Sequence, residues 1–197
     1  MVVASRNPGK AAELRRLLRA MPWRLLELDQ APEGHLIEWV EDGTTYLENA
    51  AIKAQAVSAG TGLPALADDS GIEVPALGGW PGIKTARWMG EAATQSQLLQ
   101  GLTERVASLP EDRRRAVFIC ALALAVPRAG AETWVKLTES RLEGVLVTEP
   151  RGRHGFGYDP IFIPNGEQRT MAEMSQSHKD EISHRGMAAR ELVAKLR

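Results

Sequence analysis

Two adjacent aspartates, Asp68 and Asp69, close a short apolar run (ALADDSG) and lead into a glycine-rich stretch, LGGWPG. Buried carboxylates are costly unless a positive group meets them. A divalent ion is the simplest such group: Mg2+ takes one or two carboxylates and completes its shell with phosphate oxygens and water. Glu41 and Glu48 are further oxygen ligands or bases able to converge on the same place. The two aspartates also read as caps of a turn completed by Ser70-Gly71, and the residues alone leave both readings open.

Three other stretches carry candidate chemistry. In SRNPGK (Ser5, Arg6, Asn7, Pro8, Gly9, Lys10) a polar, glycine-containing loop opens a helix. Free backbone N–H groups and the helix dipole then face an anion, and Lys10 adds a full charge. It is not a Walker A loop, because the upstream glycine is missing and Ala11 follows Lys10. Plain capping by Asn7 and Pro8 explains the same residues. In GRHGFGYDP, glycines around Phe156, Gly157 and Tyr158 let backbone approach a ligand while aromatic faces stay available for stacking. Asp159 is an acceptor for a base or ribose, and a loop of packed aromatics is the alternative. KDEISHRG gathers Lys179, His184 and Arg185 around a helix start capped by Ser183, a cationic set that an anion or an acceptor-rich ligand would settle, with His184 satisfying a nearby carboxylate as the alternative. His35, His154 and His178 show no ligand spacing, which argues against zinc. The four stretches agree on one ligand, a nucleotide with Mg2+.

The elements that must position these residues follow from periodicity. MVVAS reads as a buried strand, and Asn7-Pro8 caps a helix with apolar positions Ala11, Leu14, Leu17, Leu18 and Met21. Thr45 and Glu48 form a capping box for a second helix that sets Asn49 and Lys53 on one face and stops at Gly60. LPALA is a strand delivering Asp68 and Asp69 at its carboxyl end. TQSQLLQGLTERVASL is an amphipathic helix. AVFICALALAV and TWVKLTESRLEGVLV form a hairpin, IFIP is a short strand, and a last helix begins at Ser183. The order gives one mixed α/β domain over residues 1–197.

Composition sets the limits. A formal net charge of −1 provides no basic field for nucleic acid. A single cysteine, Cys120, excludes an internal disulfide and sits in an apolar run that suits an inert thiol. No signal peptide or membrane span is visible, so a cytoplasmic protein without membrane partners is expected.

Five blocks, SRNPGK, ENAAIKA, ADDSGIEVPALGGWPGIKTARW, GFGYDPIF and KDEISHRG, occur in an order and combination that resembles the inosine triphosphate pyrophosphatase family. They reach from residue 5 to residue 186. The resemblance implies an α/β fold with a central mixed twisted sheet, flanking helices and two lobes around a deep nucleotide-binding cleft. It also implies a homodimer and Mg2+-dependent hydrolysis of ITP, dITP and XTP to nucleoside monophosphate and pyrophosphate. By the same resemblance Ser5, Arg6, Asn7, Pro8, Gly9 and Lys10 form the triphosphate loop, and Lys53 is a second phosphate contact. Asp69 is the base that activates water and a metal carboxylate, and Glu41 is the other metal acid. Ser70 touches substrate, Phe156, Gly157, Tyr158 and Asp159 hold the base, and Lys179, His184 and Arg185 meet the purine edge. Asp68 has a supporting role. Arg6, Trp80, Thr85 and His154 depart from the common pattern.

Donors aimed at C6 would accept the carbonyl of hypoxanthine or xanthine and reject the amino group of adenine. Guanine would be rejected through its 2-amino group near the 156–159 loop. Two rivals remain at this point: a nucleotide sensor that does not hydrolyse, and a pyrophosphatase for modified pyrimidine nucleotides.

Overall fold

A computed structural model describes residues 1–196. The N-terminal segment folds as its pattern requires. Strand β1 (Val2–Ala4) is fully buried, Asn7 is the extended N-cap, and Pro8 opens helix α1 (Pro8–Leu17). Strand β2 (Leu26–Glu27) follows. Helix α2 (Tyr46–Thr61) begins with the expected reciprocal box, Thr45 accepting from the Glu48 amide and Glu48 from the Thr45 amide. It runs past the expected stop at Gly60. The left-handed residue that ends it is Gly62, with φ +67°.

Strand β3 (Ala65–Glu73) departs most from the sequence expectation. It continues through both aspartates to Glu73 instead of ending at them. Gly71 and Ile72 are buried beyond the carboxylates, so the strand keeps its place inside the protein. Successive side chains leave opposite faces of a strand, which sends Asp68 and Asp69 to different environments.

Helix α3 (Gln95–Ala107) buries Leu98, Leu102 and Val106. Strands β4 (Arg115–Arg128) and β5 (Ala131–Leu146) are sheet neighbours with Ala129-Gly130 between them, a connection that only an antiparallel hairpin permits. Strand β6 (Phe162–Pro164) pairs antiparallel with the end of β5, Val145 opposite Ile163. The last helix is preceded by another that the sequence pattern does not reveal. Helix α4 (Gln176–Ile182) is capped by Ser175, and Ser183 is the extended residue before helix α5 (His184–Ala194). Lys179 therefore belongs to α4, because so short a helix shows too little of the 3.6-residue period to be read.

The sheet is mixed, in the order β2-β1-β3-β4-β5-β6, with β1 parallel to both β2 and β3. The chain divides into two compact units. The first holds Met1–Asp69, Cys120–Ser140 and the chain from Arg185 onward; the second holds Ser70–Ile119 and Arg141–His184. Val3, Leu14, Leu66, Leu122 and Leu192 belong to the core of the first, and Leu102, Phe118, Tyr158, Phe162 and Met174 to that of the second. Among the described residues no helix is long and apolar enough to cross a membrane.

Gly144 faces Pro164 across the β5–β6 pair, where a Cβ would lie 2.3 Å from the Ile163 carbonyl oxygen and 2.6 Å from the Phe162 ring. Backbone cannot yield as a flexible side chain would. Gly144→Ala is expected to cost about 1–3 kcal/mol, read as a lower urea midpoint at unchanged m value.

Candidate active site

In the first unit Asp68 is a fully buried hub. Its Oδ1 accepts from Lys10 Nζ at 2.6 Å, and its Oδ2 from Arg185 Nε at 2.7 Å and Cys120 Sγ at 3.1 Å. Arg185, buried on α5, also pairs through Nη1 with Glu13 on α1. Burial alone would raise the Asp68 carboxyl, but the Arg185 and Lys10 charges outweigh it and hold the group well below the usual carboxylate range. The Cys120 thiol is pushed far up by burial and by the neighbouring Asp68, so it is the inert thiol expected.

Asp69 has a different partner. Lys53, carried on α2, places its Nζ 2.8 Å from Asp69 Oδ1 and 2.9 Å from Glu41 Oε1. Burial would lower the Lys53 ammonium, yet the two carboxylates raise it. Asp69 moves the other way from a typical ion-paired acid: burial pushes its carboxyl up and outweighs the Lys53 and Lys10 charges, and the Glu41 carboxylate on the same ammonium adds to the rise. Among the described residues its buried Oδ2 has no hydrogen-bond partner. A raised carboxyl with an unused oxygen is a better proton acceptor than an ordinary aspartate. The same unused oxygen beside Glu41 suits a hard cation. Among the described residues no three His, Cys, Asp or Glu side chains converge, so a metal held here would take the rest of its shell from water or phosphate, as Mg2+ does.

The loop before α1 shows the capping that was one of its two sequence readings. The Asn7 side chain accepts from the amides of Gly9 and Lys10 at 3.0 and 3.2 Å, and Ser5 Oγ accepts from the Asn7 amide at 3.2 Å. Those amides cap the helix rather than face outward, leaving Lys10 and the dipole of α1 as the positive elements. Arg6 is exposed and turns to residues 37–39: Nη2 donates to the Ile37 carbonyl at 2.8 Å, and the guanidinium lies 4.3 Å from the Trp39 ring centroid. Glu48 spends its carboxylate on Thr44 and Thr45 instead of joining Glu41 and Asp69.

In the second unit Asp159 organises the aromatic loop. Its Oδ2 accepts from Lys179 Nζ at 2.5 Å and from the Phe156 amide at 2.8 Å. Gly155, at φ +75°, is required here, since a Cβ would lie 2.0 Å from that oxygen. Lys179 lies 5.1 Å from the half-buried Phe156 ring, and Gly157 takes φ +62°. Tyr158 is buried, its hydroxyl donating to the Thr85 carbonyl at 2.9 Å and accepting from Trp88 Nε1 at 3.0 Å. Burial pushes that hydroxyl up to about 12, the Trp88 hydrogen bond opposing. The Thr85 hydroxyl in turn accepts from the Ile72 amide at 2.9 Å. His184 stacks on Phe118 with centroids 4.7 Å apart. Ser70 is half-buried on β3.

Sequence reasoning missed Glu13, Trp39 and Trp88. The spacing of Glu13 holds a signal: it lies three residues after Lys10 and next to Leu14, on the side of α1 that is buried.

Comparison with known proteins gives one consistent result. Residues 1–195 match the Ham1 family. A dITP/XTP pyrophosphatase of Frankia alni is 48% identical over all of this chain and 96% of its own length. One of Thermus thermophilus is 45% identical over 98% of this chain and 89% of its own. A HAM1 protein structure from Coxiella burnetii superposes with a TM-score of 0.82 at 38% identity, covering 99% of this chain and 96% of that one.

Asp68→Asn removes the counter-charge of two buried cations, and an expected loss of about 3–5 kcal/mol at pH 7 follows. The Asp68 carboxyl is depressed in the folded protein, so its contribution is complete above the unfolded value of about 3.9 and fades as pH falls toward the folded one. Urea melts of both proteins should show a wide gap at neutral pH and a narrower one at about pH 3.

Proposed function

The chain belongs to the Ham1 family, and on that premise we propose that it hydrolyses nonstandard purine nucleoside triphosphates, ITP, dITP and XTP among them, to nucleoside monophosphate and pyrophosphate. The relatives named dITP/XTP pyrophosphatase support the substrate class. The observation that carries the chemistry is Asp69: a carboxylate raised by burial, one oxygen on Lys53 and the other without a hydrogen-bond partner among the described residues.

Asp69 takes a proton from the water that attacks the α-phosphorus. The new oxygen–phosphorus bond forms as the bond to the bridging oxygen breaks, and that electron pair leaves with pyrophosphate. Lys10 and Lys53 stabilise the charge that gathers there, and Ser5, Asn7, Pro8 and Gly9 shape the loop that presents Lys10. Glu41 and Asp69 would hold Mg2+, which when bound withdraws charge from phosphate oxygens. Ser70 follows the base directly in sequence and is assigned to the substrate.

Phe156 offers a face to the purine, with Gly157 and Asp159 setting the loop and Tyr158 bracing it from the core. Lys179, His184 and Arg185 supply donors to a C6 carbonyl, Arg185 with its guanidinium fixed by Asp68 and Glu13. Adenine would set an amino group against those donors, a mismatch that costs far more than a missing apolar contact. The family resemblance supports a cytoplasmic homodimer with one pyrophosphatase domain per chain.

The test is purified protein with Mg2+ and ITP, XTP, GTP, ATP and dTTP, with pyrophosphate and orthophosphate assayed separately. ITP and XTP should release pyrophosphate, with little from ATP or GTP, and Asp69→Asn should lower kcat by about 10²–10⁴. Binding without turnover would mean a sensor. Preference for a pyrimidine triphosphate would overturn the purine assignment, and orthophosphate as first product would overturn the placement of Asp69.

A further inference from the structure

We propose that Arg6 is a positioning residue for Glu41, acting through the segment 37–43 rather than on a phosphate. This rests on the reading of Glu41 as a metal-holding acid. The segment is irregular and carries Glu41 between two anchored ends. At one end the Arg6 guanidinium donates to the Ile37 carbonyl at 2.8 Å and lies 4.3 Å from the Trp39 ring. At the other, Asn49 Oδ1 accepts from the Gly43 amide at 2.9 Å, and Glu48 accepts from the Thr44 amide at 2.6 Å. Gly43 allows that close approach, since a Cβ there would lie 2.7 Å from Asn49 Oδ1.

Apolar packing holds this segment mainly at its start, where the half-buried Ile37 lies over Gly60 of α2; nearer Glu41, Val40 is 74% exposed. The Arg6 contacts therefore carry weight they would lack in a packed loop. With both ends fixed, Glu41 is delivered to Lys53 at 2.9 Å, next to Asp69 on the same ammonium. Releasing the Arg6 end restores conformational freedom to the residues before Glu41, and that entropy opposes any ligand needing the carboxylate in place. Arg6 itself is exposed, so replacing it leaves no buried group unpaired.

The experiment uses the full chain as wild type, Arg6→Ala, Arg6→Lys, Trp39→Leu and the Arg6→Ala/Trp39→Leu double variant. Mn2+ binding to nucleotide-free protein is measured by electron paramagnetic resonance, and amide hydrogen exchange is followed across residues 38–43. Arg6→Ala and Trp39→Leu should each weaken Mn2+ binding roughly fivefold, the scale of a lost cation–π contact and charged hydrogen bond. The double variant should be little worse than either. Exchange should quicken in residues 38–43 and not in α2, while KM for ITP at saturating Mg2+ stays unchanged. A raised KM restored by Arg6→Lys, with Mn2+ binding and exchange unaltered, would overturn the inference in favour of direct phosphate contact. If wild type binds no Mn2+, the metal reading of Glu41 and the proposed positioning toward metal fall together. Faster exchange in Arg6→Ala would then uphold the clasp alone.

Discussion

Adjacent carboxylates inside a strand leave it on opposite faces, and in β3 neither face is wet. Asp68 is wholly buried and Asp69 nearly so, so each needs its own cation, brought by a different element. Lys10 from the start of α1 and Arg185 from α5 serve Asp68; Lys53 from α2 serves Asp69. Much of the first unit is arranged around that double demand. Lys10 and Arg185 stand in the first turns of α1 and α5, and Glu13 completes the pairing of Arg185.

The two aspartates diverge chemically because their cations are shared differently. Asp68 is bonded by Arg185 and Lys10 and sits well below the usual carboxylate range; Asp69 is raised by burial, which outweighs the Lys53 and Lys10 charges with Glu41 acting against them. Identical side chains one residue apart thus become a fixed anion and a carboxylate of raised proton affinity. The difference lies in how closely the cations pair with each carboxylate and in the Glu41 charge beside Asp69, both set by neighbouring elements rather than by the strand.

The second unit solves a different problem, holding a glycine-rich aromatic loop in one conformation. Asp159 ties the Phe156 amide to Lys179, while the Tyr158 hydroxyl links Trp88 to the Thr85 carbonyl. Gly155 makes room for the Asp159 carboxylate, and its positive φ is the local condition for that turn. Aromatic residues here do two jobs: Phe156 stays half-buried, and Tyr158 becomes core.

What depends on near neighbours can be read along the chain. The Asn7 cap, the Thr45–Glu48 box, the faces of α1 and α3, the hairpin of β4 and β5, and the five family blocks are all legible, because caps and periods are settled within a few residues. Helix α4 and the extension of β3 were not legible, since a seven-residue helix shows little period and a strand carrying two aspartates looks finished. Which charge meets which depends on the assembled fold. Arg185 lies 117 residues from Asp68 and 172 from Glu13, and no local pattern encodes such a pairing. Sheet order and helix placement bring those groups together. Once they are buried, the cost of an unpaired charge fixes the partnership.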